Sequence, residues 1–305
     1  MWVVLAFVSA LCLGFYDVSK KVALRSNGVV NVLTASVWIS SAILLVPLLL
    51  SRLVPETMQT TPFYVPALSG EGHLFTLLKS CIVLSSWIFA YMALKHLPIS
   101  VVSPWQATRP IWTLIGAMLF FGEQLNGWQW TGVVLATGSI LVFSFRGPSP
   151  MPDDRSPMTK TYYVYLALAI VIGSCSGLYD KYMMRRFDHN AVQVYYTFYQ
   201  ALMMLVVWAF YRRKNLRLQT YTPLSLASLL PIAMISVFLV ISDNVYMLAL
   251  RDPASMIAVV STIRRGGAVI GLAYGLLFLQ EKDPWKKVLC MAGVLAGLIC
   301  LALGT

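Results

Sequence analysis

Three arginines stand where the sequence offers them no water. Arg109 lies about halfway along the apolar run 98–121, and Arg264 and Arg265 about halfway along the apolar run 254–280. If those runs cross a bilayer, each guanidinium costs roughly 3 kcal/mol at that depth unless it faces a partner, water or a ligand. A guanidinium can hold a carboxylate or phosphate through two parallel hydrogen bonds and does not deprotonate in a dry site, so the chemistry on offer is anion binding. The bland alternative is internal ion pairing with Asp243, Asp17 or Asp180. Adjacent helical residues point about 100° apart, so Arg264 and Arg265 cannot face one small cavity equally. Arg264 shares a face with Gly267, Gly271 and Gly275, a stripe that lets another helix approach closely, which leaves Arg265 the freer to reach a ligand.

The carboxylates come in a pattern. Cys12, Gly14, Tyr16 and Asp17 recur with the same spacing as Cys175, Gly177, Tyr179 and Asp180. Asp17 and Asp180 are candidate proton-coupling or gating groups. Asp17 also has Lys20 and Lys21 at helical neighbour spacing and Asp180 has Lys181 beside it, so local pairing near an interface is the competing reading. Asp243, set in an apolar stretch before Asn244, is the better counter-charge for an arginine. Aromatic residues suited to stacking an organic molecule are Tyr91 and Trp105, with Trp87 and Gln106 nearby, and Tyr195 and Tyr199 in the segment YYTFYQ. In that segment Tyr195 and Tyr199 share one face, and Tyr196 and Gln200 the next. Each of these aromatics also suits plain packing or a membrane-interface belt.

Other chemistries find no support. The five cysteines all lie in apolar runs and form no CxxC or Cys/His cluster, so neither a disulfide framework nor a metal site is expected. No phosphate-cradling loop or nucleophile–base pair occurs in a water-accessible setting, and we expect neither enzyme activity nor a cofactor. The net charge of +11 comes from bases scattered through short gaps between apolar runs, a pattern for membrane-flanking loops and not for nucleic acid.

The elements that must position these residues follow from composition. The chain is 58% hydrophobic and 11% charged, against about 25% charged in a soluble domain, so lipid is the expected solvent. A spanning helix needs about 20 mainly apolar residues. Ten stretches qualify, near 2–22, 29–50, 73–95, 98–121, 127–145, 161–183, 191–211, 223–250, 254–280 and 285–304. The first reads as a retained helix and not a signal peptide, since no basic n-region precedes it. Residues 147–160, holding most of the segment RGPSPMPDDRSPMTK, read as a linker between a unit at 1–146 and another at 161–305. A second echo supports the division: Tyr91-Met92, Pro98 and Ser100 recur as Tyr246-Met247, Pro253 and Ser255. A third, weaker one relates FFGEQ, with Glu123, to LFLQEK around Glu281. Five crossings per unit is an odd number, so the expected fold is an all-α membrane protein of ten transmembrane helices in two inverted five-helix repeats. That is an architecture of alternating-access carriers.

With YMALKHLPISVVSP leading into RPIWTLIGAMLFFGEQL, and a Gly-rich helix containing Gly132 and Gly138 following Pro110, Gly122 and Glu123, the chain resembles the EamA branch of the drug/metabolite transporter superfamily. The resemblance implies a central cavity lined by predicted helices 1–4 and 6–9, with helices 5 and 10 peripheral, and export or exchange of metabolites. The second half departs from it at STIRRGGAV, where no proline answers Pro110.

The function expected is a secondary transporter for a small polar metabolite with an anionic group, such as an amino acid. The alternatives are a nucleotide-sugar or sugar-phosphate exchanger and a flippase for a lipid-linked sugar, which would need a laterally open groove. Expected partners are the small-molecule substrate, protons as candidate coupling ion, the lipid bilayer and, as a candidate, a second copy of the chain in a homodimer. The expected location is the bacterial inner membrane. Loop bases number fourteen on the linker's side against six on the other, with the three arginines inside, which favours a cytoplasmic linker and external termini. Members of the resembled family usually keep both termini cytoplasmic, so the two expectations differ.

Overall fold

The computed structural model describes all residues except 25–26, 97–104, 107, 146–156, 218–223, 225–227 and 279–283. Its regular structure is helical throughout the described residues. The helices are α1 (Trp2–Ala23), α2 (Val29–Leu53), α3 (Pro55–Gln59), α4 (Gly70–His96), α5 (Arg109–Phe121), α6 (Gly127–Phe145), α7 (Pro157–Met184), α8 (His189–Arg217), α9 (Leu229–Arg251), α10 (Ile257–Gly266), α11 (Ala268–Phe278) and α12 (Pro284–Leu303). Among the described residues, eight spans have the length and apolar composition to cross a membrane, one of them made of α10 and α11 together. The 13-residue α5 is shorter, and α6 has 19 residues. Residues 98–104 of the expected fourth helix, with the repeat residues Pro98 and Ser100, and Glu281 lie outside the described residues, as do residues 147–156 of the expected linker, whose last four residues instead open α7.

Two differences from the sequence reading have local causes. The segment after α2, which lies outside the ten apolar stretches, forms the short α3, because Pro55 supplies the fixed φ of a first helical turn and Glu56 sits favourably at its N-terminal end. The run 254–280 begins its helix only at Ile257 and is interrupted at Gly267. There α1 crosses so closely that a Cβ on Gly267 would lie 2.3 Å from the carbonyl oxygen of Ala10, and one on Gly14 would lie 2.6 Å from that of Gly267. Gly267 therefore serves the close contact expected of the glycine stripe. Gly271 has nothing within 4 Å of a Cβ position and does not.

The helices interlock across the two halves. α1 packs on α9 and α4 on α7; α5 packs on α7 and α1 on α10 and α11; α2 packs on α9 and α4 on α8; and α2 with α8, α5 with α10, and α6 with α12 close the bundle. The principal core joins α1, α5, α7, α9, α10 and α12 through residues such as Ala6, Leu114, Met183, Leu250, Ile257 and Val294. Large apolar side chains also cover the outside, among them Phe120 at 77% exposure and Leu119 at 75%. In water so large an apolar exterior would drive association; against lipid it costs nothing.

Candidate substrate site

α1, α4, α5, α7, α8, α9 and α10 surround a central cavity of about 270 Å³. Five bases line it, Lys20, Lys79, Arg109, Arg264 and Arg265, against three carboxylates, Asp17, Asp180 and Asp243. The three arginines and three aspartates proposed from the sequence as site residues thus all line this one cavity.

Every one of the three carboxylates is engaged. Asp17 takes Lys20 at 2.9 Å from one turn along α1, and both are substantially exposed. Asp180 on α7 is buried and receives Lys79 from α4, with the Tyr246 hydroxyl at 3.3 Å. Asp243 on α9 takes Nη2 of Arg264 at 2.8 Å. The Arg264 guanidinium also lies 4.0 Å from the centroid of the Tyr246 ring, and Lys79 Nζ 4.5 Å from that of Tyr196. A continuous chain of contacts, Lys79, Asp180, Tyr246, Arg264 and Asp243, therefore runs from α4 through α7 and α9 to α10. Buried charges survive only when paired and hydrogen-bonded, and this chain pairs each of its charges, while Nε of Arg264 is buried without a hydrogen-bond partner.

Two bases are left over. Arg109 donates through Nη2 to the carbonyl oxygen of Gly173, where the missing side chain makes room for the guanidinium, and Ser174 Oγ donates to the Arg109 carbonyl at 3.2 Å. Arg109 makes no ion pair among the described residues. Arg265 makes neither an ion pair nor a hydrogen bond among them; Asp17, whose field reaches it, is already taken by Lys20. A small side chamber of about 30 Å³, sharing Trp87, Tyr196 and Asp243 with the central cavity, holds two buried polar atoms without partners, Ser40 Oγ and Gln200 Nε2. It has the size of one water.

Outside the cavity a second buried ion pair joins the halves. Lys181 Nζ meets Glu123 at 2.5 Å and the Ser255 carbonyl at 2.6 Å, while the Glu123 carboxylate accepts the backbone N–H groups of Ile257 at 2.7 Å and Ala258 at 3.1 Å. Glu123, just past the end of α5, thereby caps the positive N-terminus of α10.

Residues 1–145 match the model of a family described as the EamA-like transporter family. The first half of this chain belongs to that family. With its apolar spans the chain is an integral membrane protein, and its EamA-like segment supplies Asp17, Lys20, Lys79 and Arg109 to the cavity. No curated protein matches the chain by sequence. A solved structure described only as "Crystal structure of protein" shares its fold at a TM-score of 0.76 and 12% identity, covering 99% of this chain and 96% of that one.

The structure corrects several placements. Tyr195 and Tyr199 lie away from the cavity: the His73 ring packs edge-on to Tyr195 at 4.5 Å, and His73 Nδ1 lies 2.9 Å from the Tyr199 hydroxyl. The adjacent face of α8 turns inward instead, so Tyr196 lines the site. Trp105 packs near Tyr163 at 6.2 Å and is not part of the cavity wall. Tyr91 belongs to α4, but its side chain lies outside the described residues. Arg264, expected to be taken up by the glycine stripe, lines the cavity beside Arg265. Arg109, expected mid-helix, is the first residue of α5. Lys181 pairs with Glu123 and not with its neighbour Asp180, and Lys79 and Lys181, counted among the external loop charges, are buried at 3% and 2% exposure. The signal for these two lysines was their place inside the apolar runs, at least two residues from a run's end. Tyr16 and Tyr246 were visible only as repeat echoes.

Proposed function

We propose that this chain is a secondary carrier for a small organic anion, amino-acid-like in size, that works by alternating access between two inverted five-helix repeats at 1–146 and 161–305 joined by the linker 147–160. The observation that carries the reading is the charge imbalance of the central cavity: five bases against three carboxylates, all three engaged, with Arg109 and Arg265 left without a counter-ion. Unpaired guanidiniums in a low-dielectric site are unfavourable until an anion arrives, and the arriving anion gains two charge-assisted partners. The volume of about 270 Å³ lies at or below the roughly 300–1,000 Å³ of drug-sized pockets, which favours a small metabolite over a nucleotide-linked sugar.

Two features support the repeat and the rocking motion. Exchanging α1 with α7, α2 with α8, α4 with α9, α5 with α10 and α11, and α6 with α12 turns each of the inter-half pairings described above into another of the same set. The repeat-related carboxylates also sit in unlike surroundings, Asp17 half-exposed and Asp180 buried against Lys79. That difference fits a state open at one end and sealed at the other.

The test is titration of the purified full-length protein with amino acids, hydroxy acids and sugar phosphates, read as ligand-dependent stabilisation. Arg109→Lys keeps the charge but loses the fork, and should bind a stabilising anion at least about tenfold more weakly with little change in the ligand-free melting temperature. Stabilisation by anions that survives intact in both Arg109→Gln and Arg265→Gln would overturn the assignment.

A further inference from the structure

Arg265 separates two cavities. Its side chain lines the central one and also a second, of about 150 Å³, enclosed by α5, α6, α10 and α11, where its neighbours include Gln106, Pro110, Thr137 and Thr262. Pro110, next to Arg109, lines both as well, so the two spaces adjoin at the unpaired guanidiniums.

Thr137 is only 4% exposed, and its Oγ1 has no hydrogen-bond partner. On the same helix Thr131 donates to the Gly127 carbonyl at 2.8 Å and Ser139 to that of Leu135 at 2.7 Å. Thr137 makes no such bond to the preceding turn. The Thr262 hydroxyl is already spent on the Ala258 carbonyl at 2.8 Å. What the pocket offers is therefore a guanidinium without a counter-ion, an orphan hydroxyl and the Gln106 amide, with no carboxylate on its wall. A buried polar group without a partner calls for a missing ligand or water, and this space is several times the roughly 30 Å³ that one water occupies. The donor set selects an anionic oxygen group the size of a carboxylate or phosphate.

We propose that the transported molecule carries two acidic groups, the first held by Arg109 in the central cavity and the second by Arg265 and Thr137 in this side pocket. This rests on the anion-carrier reading and deepens it, since the excess of two bases in the central cavity equals the charge of such a dianion.

Matched acids test it on the purified full-length protein: succinate against butyrate, glutarate against valerate, and adipate against hexanoate, each titrated for thermal stabilisation. For at least one chain length the dicarboxylate should bind about tenfold or more tightly than its monocarboxylate. Arg265→Gln should erase that ratio, and the isosteric Thr137→Val should lower it several-fold. If monocarboxylates bind through Arg109 but no dicarboxylate binds more tightly, the carrier reading stands and the two-acid inference falls. If inorganic phosphate stabilises the protein through Thr137 without competing with monocarboxylates, the pocket is an independent anion site and the inference also falls. If no acid of either series binds, both readings fail together.

Discussion

Arg264 on α10 and Asp243 on α9 meet at 2.8 Å, whereas the next residue, Arg265, meets no carboxylate among the described residues. Adjacent arginines in one helix thus stand in opposite electrostatic situations. Arg264→Gln strands Asp243 in a poorly solvated wall and should cost about 3 kcal/mol, the low end for breaking a buried pair, because both partners retain some exposure. Arg265→Gln removes a charge that had no counter-ion and should leave the ligand-free protein as stable as wild type or more so. Melting temperatures of the two ligand-free variants decide this; equal losses would mean that Arg265 also has an internal carboxylate partner.

The repeat-related carboxylates should respond unequally to neutralisation. Asp17→Asn removes a largely exposed pair with Lys20, worth about 0–1 kcal/mol. Asp180→Asn leaves Lys79 buried with an uncompensated ammonium and should cost about 3–5 kcal/mol. If protons drive transport, Asp17→Asn is the variant to abolish uptake under a pH gradient while exchange at equal pH persists. Undiminished gradient-driven uptake by Asp17→Asn would return this residue to a structural role.

Much of this arrangement was legible in the sequence, for physical reasons. Runs of about 20 apolar residues fix the helices because lipid leaves the backbone no other partner, and charges inside such runs must converge on a polar interior, as Arg109, Arg264, Arg265, Asp180 and Asp243 do. Pairing was legible only in part: Asp17 takes Lys20 and Asp243 takes an arginine, as their spacing and setting suggested, but which arginine was not. Whether Arg264 or Arg265 reaches Asp243 depends on how α10 is rotated against α9, and no local rule sets that angle. The choice between the Tyr195 and Tyr196 faces of α8 failed for the same reason, since both faces are aromatic. Lys79 and Lys181 look in sequence like bases near helix ends that could reach the headgroups; only the positions of Asp180 and Glu123 on other helices turn them inward.

Their burial also sharpens the orientation argument. Without Lys79 and Lys181 the side opposite the linker keeps four loop bases of its six, while the linker side, without the buried Lys287, keeps thirteen of its fourteen. A reporter enzyme placed within 147–160 should therefore be active in its cytoplasmic form. Activity only of an externally active reporter would show that the usual orientation of the resembled family holds and that loop charge does not set the topology here.

The Glu123–Lys181 pair should act as a latch on one end of the carrier. Glu123 follows the end of α5 in the first half, Lys181 lies in the last turn of α7 in the second, and the carboxylate holds the first two N–H groups of α10, so one cluster ties α5, α7 and α10 together. The repeat position of Lys181 in the first half is Val18, which cannot form a matching latch, so the two ends are chemically unequal. Lys181→Met leaves the Glu123 charge supported only by the helix N-terminus and should cost about 3 kcal/mol in the latched state. Because the unlatched state loses nothing, the same change should shift the equilibrium toward opening at this end. A cysteine replacing the buried Ser255, whose carbonyl accepts from Lys181, reports the opening through labelling by a membrane-impermeant maleimide, read against the same background without it. Labelling should rise at least about tenfold in Lys181→Met, and only modestly in Lys181→Arg, which keeps the charge. Faster labelling in Lys181→Arg than in Lys181→Met, or equal rates in all backgrounds, would show that the pair supports the fold without controlling access.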